Sequence, residues 1–189
     1  KVPAFLEHAD DLLRFVPVPG IEFSEAAEDV ELLAKSPYLA RFAVLDFLDN
    51  GIGDRGFTCL AACHHLSNTK ELVLGGNKIG PAGIRALTAS LYTGALSILD
   101  LSENSIGDEG LSLLANSSLL SQLKVLDVTG NAIGSEGVRA LATSPSSIGL
   151  TKLNLSGNDF GDDGLRGWTT LSHLVSLDLA GNEIGDEGA

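Results

Sequence analysis

The sequence contains few aromatic residues, little sulfur and few positive charges. Aromatic residues make up 5% of the 189 residues, there is no Met, and the only cysteines are Cys59 and Cys63. A core must therefore be built from Leu, Ile, Val and Ala, and a hydrophobic content of 44% is enough for one. Two cysteines cannot form a disulfide framework, which favours a reducing compartment, and we expect a cytoplasmic location.

Positive charge is scarce, because 12 Lys and Arg stand against 25 Asp and Glu, for a net charge of −13. Nucleic acids and anionic membranes are recognised by clustered Lys and Arg, so neither is an expected partner. A cationic partner and simple solubility both remain as explanations of the acidity. The sequence also lacks an apolar run of about 18 residues and a visible signal peptide.

One asparagine recurs through the chain at a nearly constant interval. The first five members are 27 residues apart and the last step is 24. The series is Asn50, Asn77, Asn104, Asn131, Asn158 and Asn182. Apolar residues lie five and three positions before each Asn, Ile or Phe lies two after it, and Gly lies three and six after it. A fixed period of this length indicates a repeat protein.

Each repeat predicts a strand, a turn and a helix. Leu99-Asp100-Leu101 alternates in polarity as a half-buried strand does, and Leu111, Leu114 and Ala115 have helical spacing. One strand and one helix cannot bury their apolar faces alone, so the repeats must stack with parallel strands on one side. The six asparagines are expected to form a buried ladder, because a buried amide must find hydrogen-bond partners.

The segment LDLSENSIGDEGLSLL (99–114) resembles the ribonuclease-inhibitor-like class of leucine-rich repeats, and the resemblance extends from about Phe42 to the end. It implies an α/β right-handed solenoid, a horseshoe arc with parallel strands on the concave side and helices on the convex side. Here every repeat keeps its Asn and nearly one length, as in simpler bacterial or signalling members. The stretch FLEHADDLLRFVPV (5–18) also resembles bacterial leucine-rich-repeat proteins with a repeat-companion domain.

The amino-terminal residues are interpreted as a helix followed by a degenerate first repeat. A step of 27 back from Asn50 leads to Phe23, which places Val18 in the position of Leu45 and Gly20 in that of Phe47. We expect residues 1–40 to cap the stack and residues 41–189 to form about six repeats, the last of them truncated. Because the chain stops where a helix should begin and lacks an initiator Met, we expect it to be part of a longer protein.

Two acidic features are candidate binding sites. The residues four positions before each Asn should form one column on the concave face: Asp46, Val73, Asp100, Asp127, Asn154 and Asp178. The column is either a site for a basic partner or the usual Leu-Asp-Leu pattern of the repeat. A second group follows the glycine turn: Asp54, Asp108, Glu109, Glu136, Asp162, Asp163, Asp186 and Glu187. Acids there are better explained as stabilising the helix that they begin.

Three further features have simple structural explanations. Cys59, Cys63, His64 and His65 lack the second ligand pair of a zinc site, and Cys59 is expected at a small buried helix position. Trp168 falls on a core position that other repeats fill with Leu. We expect no metal, cofactor or catalytic residue.

The expected function is that of a protein-protein interaction module that uses its concave sheet or edge loops. No nucleophile elbow, phosphate loop or metalloprotease motif is present, so an enzyme is not expected. One alternative is a regulatory region of a larger signalling protein or GTPase activator, in which Arg55 would serve as an arginine finger. Another is a purely structural spacer.

Overall fold

Seven short strands pair in chain order into one parallel sheet in a computed structural model, which describes residues 2–14, 18–168 and 170–186. The strands are β1 Gly20–Glu22, β2 Val44–Asp46, β3 Glu71–Val73, β4 Ile98–Asp100, β5 Val125–Asp127, β6 Lys152–Asn154 and β7 Ser176–Asp178. From β2 to β5 only the middle residue of each strand is buried, because one face of the sheet packs on the core. The predicted α/β right-handed leucine-rich-repeat solenoid is confirmed.

Helices connect the strands and form the second layer of the solenoid. They are α1 Val2–Leu13, α2 Val30–Ala34, α3 Gly53–Ala61, α4 Pro81–Thr88, α5 Gly107–Ala115, α6 Ser118–Gln122, α7 Ser135–Thr143 and α8 Gly161–Leu165. Short 3-10 helices cover Pro37–Arg41, His64–Asn68 and Pro145–Gly149. In α5 the buried residues are Gly110, Leu111, Leu114 and Ala115, which form the one apolar stripe that faces the sheet.

The core is one continuous cluster between the two layers, built almost entirely from Leu, Ile and Val. Its amino-terminal end differs, because aromatic rings replace the aliphatic side chains there. Phe5 of α1 makes edge contacts with Phe23 and Tyr38, with ring centroids 5.8 Å and 6.3 Å away. Phe23 stacks on Phe47, with centroids 5.0 Å apart.

The predicted register of the first repeat is wrong by three residues. Ile21, and not Val18, pairs with Leu45, and Phe23 takes the position expected of Gly20. Val18 is 39% exposed, whereas Phe23 is buried. The reason is that a Phe ring buried on Phe47 contributes far more apolar area than a glycine would, so the strand shifts and the following turn is shorter.

The backbone of the turns alternates from repeat to repeat, although the sequence predicts equal repeats. Gly53, Gly107 and Gly161 have positive φ angles of 65°, 56° and 53°, whereas Gly80 and Gly134 are extended at −109° and −92°. Pro81 explains the extended form at Gly80, because proline excludes helical backbone from the residue before it. The solenoid therefore has a structural period of two repeats over this region.

Candidate functional site

The side chains that follow the buried Leu of each strand form a single column on the face of the sheet opposite the helices. Strand register aligns them in the order Glu22, Asp46, Val73, Asp100, Asp127, Asn154 and Asp178. Neighbouring strands lie about 4.8 Å apart, so successive side chains are in contact range. Sequence analysis missed Glu22, because it assumed a step of 27 residues where the strands are 24 apart.

Each aspartate of this concave column also accepts a hydrogen bond from its own backbone. Asp100 Oδ1 accepts the N–H of Ser102 at 2.8 Å, and Asp127 Oδ1 accepts the N–H of Thr129 at 2.9 Å. Asp46 and Asp178 make the same bond to the N–H two residues later. These bonds end the strand and begin the turn, so the column has a structural role.

The amide of Asn154 performs the same turn function without a charge. Its Oδ1 accepts the N–H of Ser156 at 3.1 Å, and its Nδ2 donates to Asp127 Oδ2 at 3.0 Å. The turn therefore requires an acceptor oxygen and not a carboxylate. The negative charge at the aspartate positions is additional to what the fold needs.

The columns on either side of the acidic one are mainly apolar or small. Val44, Ile98 and Val125 are half-buried on the side where the strands begin. On the other side Leu48 is 50% exposed and lies over Gly75, where a Cβ atom would be only 2.8 Å from its Cδ1. Leu48 is thus an apolar side chain available beside the acids on the concave face.

The six asparagines are buried and form hydrogen bonds to adjacent turns. Asn104 Nδ2 donates to the carbonyls of Leu74, Leu101 and Ser102, each at 2.9 Å. Its Oδ1 accepts the N–H groups of Asn77 and Ile79 at 3.1 Å and 2.8 Å. The same cross-repeat donation is made by Asn50, Asn77, Asn131, Asn158 and Asn182. This satisfies backbone groups that the short strands leave unpaired.

The acidic turn residues cap helices, but not those that they begin. Asp54 Oδ1 accepts the N–H groups of Gly80 and Gly83 in the next repeat, at 2.7 Å and 2.8 Å. Asp108 does the same for Gly134 and Gly137, both at 2.8 Å. The expectation of capping within one repeat is corrected to capping across repeats. Glu187 lies outside the described residues.

The two cysteines have exchanged the roles expected of them. Cys59 is half-buried, whereas Cys63 is buried and its thiol donates to the carbonyl of Ala34 at 2.8 Å. Ser90 and Ser144 occupy the equivalent positions and donate to Ala61 and Ala115, both at 2.5 Å. Burial raises the pKa of the Cys63 thiol. Within residues 2–14, 18–168 and 170–186 no group of three or more metal-ligating side chains comes together.

Arg55 and Trp168 make local contacts. Arg55 forms an ion pair with Glu31 of the preceding repeat, with Nη2 2.8 Å from Oε1. Trp168 packs against the core, but it is only partly buried, and its Nε1 donates to the carbonyl of Gly164 at 2.6 Å. The short helix α8 ends at Leu165, which leaves Trp168 beyond it and less enclosed than Leu141 in the preceding repeat.

Comparison with known proteins gives the family. A family model described as "Leucine Rich repeat" matches residues 63–87, 96–115, 121–142, 149–167 and 170–189, which together make up more than half of the chain. The chain therefore belongs to the leucine-rich repeat family. Proteins of this family generally mediate protein-protein interaction. A search among curated proteins found no match.

One solved structure with a similar backbone is entitled "Crystal structure of a TDR receptor". The two sequences are 22% identical, the match covers 92% of this chain, and the TM-score is 0.49. This chain spans 28% of the length of that receptor chain. In the part of this chain that the structure describes, no helix is both long enough and apolar enough to cross a membrane.

Proposed function

We propose that this protein is a non-enzymatic scaffold that binds a basic protein segment along its concave column. The observation that carries the proposal is the alignment of Asp100 and Asp127 on adjacent strands, beside Asp46 and Glu22 at the amino-terminal end. Two like charges about 5 Å apart in water repel by about 1 kcal/mol, and a Lys or Arg placed between them would remove that cost.

The uncharged turn at Asn154 supports this assignment. Because an amide ends that strand as well as a carboxylate ends the others, the acids at Asp100 and Asp127 are not explained by the fold alone. Leu48 and the half-buried Val44 flank Asp46, so a partner would find apolar contacts next to the charges. Basic side chains with apolar stems would suit this surface.

The test removes charge and keeps the turn. In the double variant Asp100→Asn/Asp127→Asn each amide oxygen can still accept the backbone N–H, so the melting temperature should stay within about 2 °C of the wild type. A random 12-residue peptide display library selected on the wild type should yield Lys- and Arg-rich peptides. These peptides should lose at least about tenfold in affinity, which is 1.4 kcal/mol, on the double variant.

A matched control neutralises two acids on the helical side, Glu109→Gln/Glu136→Gln. This variant should bind the selected peptides as the wild type does. If the concave and helical variants lose affinity equally, the attraction is a general effect of net charge. That result would remove the concave column from the proposal.

We also propose that residues 1–40 cap the amino-terminal end of the stack and that residues 41–189 form the repeats. Phe5 covers the rings of Phe23 and Phe42, and the guanidinium of Arg41 donates to the carbonyl of Leu13 at 2.7 Å. A cytoplasmic location is part of the proposal and is supported by the free thiols of Cys59 and Cys63. Replacing Phe5 with Ser should lower the melting temperature and expose apolar surface to a dye such as ANS.

A further inference from the structure

The carboxylates are unevenly distributed around the solenoid. The five segments that lead from a helix back to a strand are residues 35–43, 62–70, 89–97, 116–124 and 143–151. None of the 25 acidic residues lies in these segments, whereas an even distribution would place about six there. They carry instead Lys35, Arg41, Lys70 and Lys124. We refer to the surface formed by these five segments as the connection face.

The five segments form one continuous edge of the molecule. The N–H of Lys70 donates to the carbonyl of Ala43 at 2.7 Å, and the N–H of Ser97 donates to that of Lys70 at 2.8 Å. The N–H of Lys124 continues the series to Ser97 at 2.8 Å. Each segment therefore lies directly against the preceding one, and its side chains share a surface with those of its neighbours.

The connection face also exposes apolar and aromatic side chains. Leu91 is 88% exposed and Ile148 is 58% exposed. Next to Leu91 in the chain, the Tyr92 ring lies 6.3 Å from the ring of His64, which itself contacts His65 at 3.8 Å. An isolated exposed Leu needs no explanation, but one beside three rings has the composition of a binding hot spot.

Electrostatics at this edge favours an uncharged or negative partner group. Burial and the neighbouring His64 lower the pKa of His65, so its ring is neutral at pH 7 and can pack against an apolar side chain. The side chain of Lys70 is exposed at the same edge, one repeat before Leu91. A carboxylate that approaches here meets positive charge without the repulsion that it would meet on the concave column.

We propose that the connection face is a second interaction surface, which binds an acidic protein segment bearing an aliphatic or aromatic side chain. Leu91, Tyr92 and His64 contact the apolar side chain, and Lys70 pairs with a carboxylate. The scaffold thus has two faces of opposite preference, a concave one for basic segments and an edge for acidic segments. The connection face does not depend on the concave column, so either surface can fail without the other.

The net charge of −13 makes the experiment stringent, because the molecule as a whole repels an acidic peptide. A random 12-residue peptide display library is selected on the wild type and counter-selected on Leu91→Ser/Lys70→Glu. Both replaced side chains are exposed, so this variant should keep the wild-type melting temperature. Leu12→Ser/Arg139→Glu is the matched control, since it alters an exposed Leu and a basic residue elsewhere.

We expect peptides retained by the wild type and the control, but lost at least about tenfold on Leu91→Ser/Lys70→Glu, to carry net negative charge and at least one Leu, Phe, Tyr or Trp. They should bind normally to Asp100→Asn/Asp127→Asn, which separates this surface from the concave one. The proposal is overturned if no peptide depends on Leu91 and Lys70, or if the dependent peptides are basic. It is also overturned if sedimentation shows that the wild type self-associates through Leu91, because the occupant is then a second copy.

Discussion

The carboxylate of Asp108 accepts a hydrogen bond from the backbone N–H of Gly137, 2.8 Å away in the following repeat. A Cβ atom at Gly137 would lie 2.6 Å from the same oxygen, so only glycine allows this approach. Asp54 and Gly83 repeat the arrangement, whereas Pro81 and Ser135 stand at the corresponding position of the intervening repeats. Capping thus joins the repeats in pairs.

Asp108→Ala should destabilise the protein by about 1.5–3 kcal/mol, because two N–H groups at the start of α7 lose a charged acceptor. The measurement is the free energy of unfolding in urea. Glu136→Ala is the control, since Glu136 is an exposed acid in the first turn of α7 itself. Its effect should stay within about 0.5 kcal/mol. Equal effects would show that cross-repeat capping contributes nothing.

Asn104→Ala should cost more stability than Asn77→Ala. The Asn104 oxygen accepts two N–H groups and its nitrogen donates to three carbonyls, whereas Asn77 accepts one and donates to two. Each buried group left without a partner costs about 1–3 kcal/mol, so the difference should reach at least about 1 kcal/mol. Urea unfolding of both variants measures it. The reverse order would contradict the two-repeat alternation of the ladder.

Thr69→Val should stabilise the protein by about 1 kcal/mol, because it removes a hydroxyl that has no hydrogen-bond partner at a position 2% exposed. Leu96, Leu123 and Leu150 occupy the same position in later repeats and are all buried. Differential scanning calorimetry should show a higher melting temperature. Thr58→Val on the exposed side of α3 serves as the comparison, and it should not produce the same gain.

Cys63→Ser should be nearly neutral at pH 7, because Ser90 and Ser144 make the same bond in other repeats. Cys63→Val should be destabilising by about 1–3 kcal/mol, since it leaves the carbonyl of Ala34 unpaired. The folded pKa of Cys63 is raised by burial, so its contribution is complete below the ordinary thiol pKa and is lost as pH rises through the folded value. Between pH 8 and about 10 the wild type should therefore lose stability faster than Cys63→Ser does.

Ala132→Gly should leave stability unchanged or raise it by up to about 1 kcal/mol. Ala132 has a φ of 52°, a conformation that costs about 1–2 kcal/mol for a residue with a Cβ atom, and glycine avoids that cost while losing some chain entropy. Ala140→Gly, in the middle of α7, should instead lower stability by about 1 kcal/mol. Thermal unfolding of the two variants should move in different directions.

Sequence analysis could predict the repeat frame because it depends on local periodicity. The Leu99-Asp100-Leu101 alternation and the helical spacing of Leu111 and Leu114 each specify which face of an element is apolar. The Asp100 column followed directly from this, since aligned repeats place equivalent residues on adjacent strands. The first repeat was misaligned because its asparagine is replaced by Ala26, whose N–H donates to Asn50 Oδ1 at 2.7 Å.

What the sequence determined by itself is therefore the solenoid, its strands and helices, and the order of residues along each column. Only the tertiary structure decided which repeat each carboxylate serves, as with Asp108 and the helix at Gly134. It also decided that the acid-free segments meet along one edge beside Leu91. The physical reason is that local periodicity sets the faces of each element, whereas contacts between repeats depend on turn geometry and on how closely two backbones can approach.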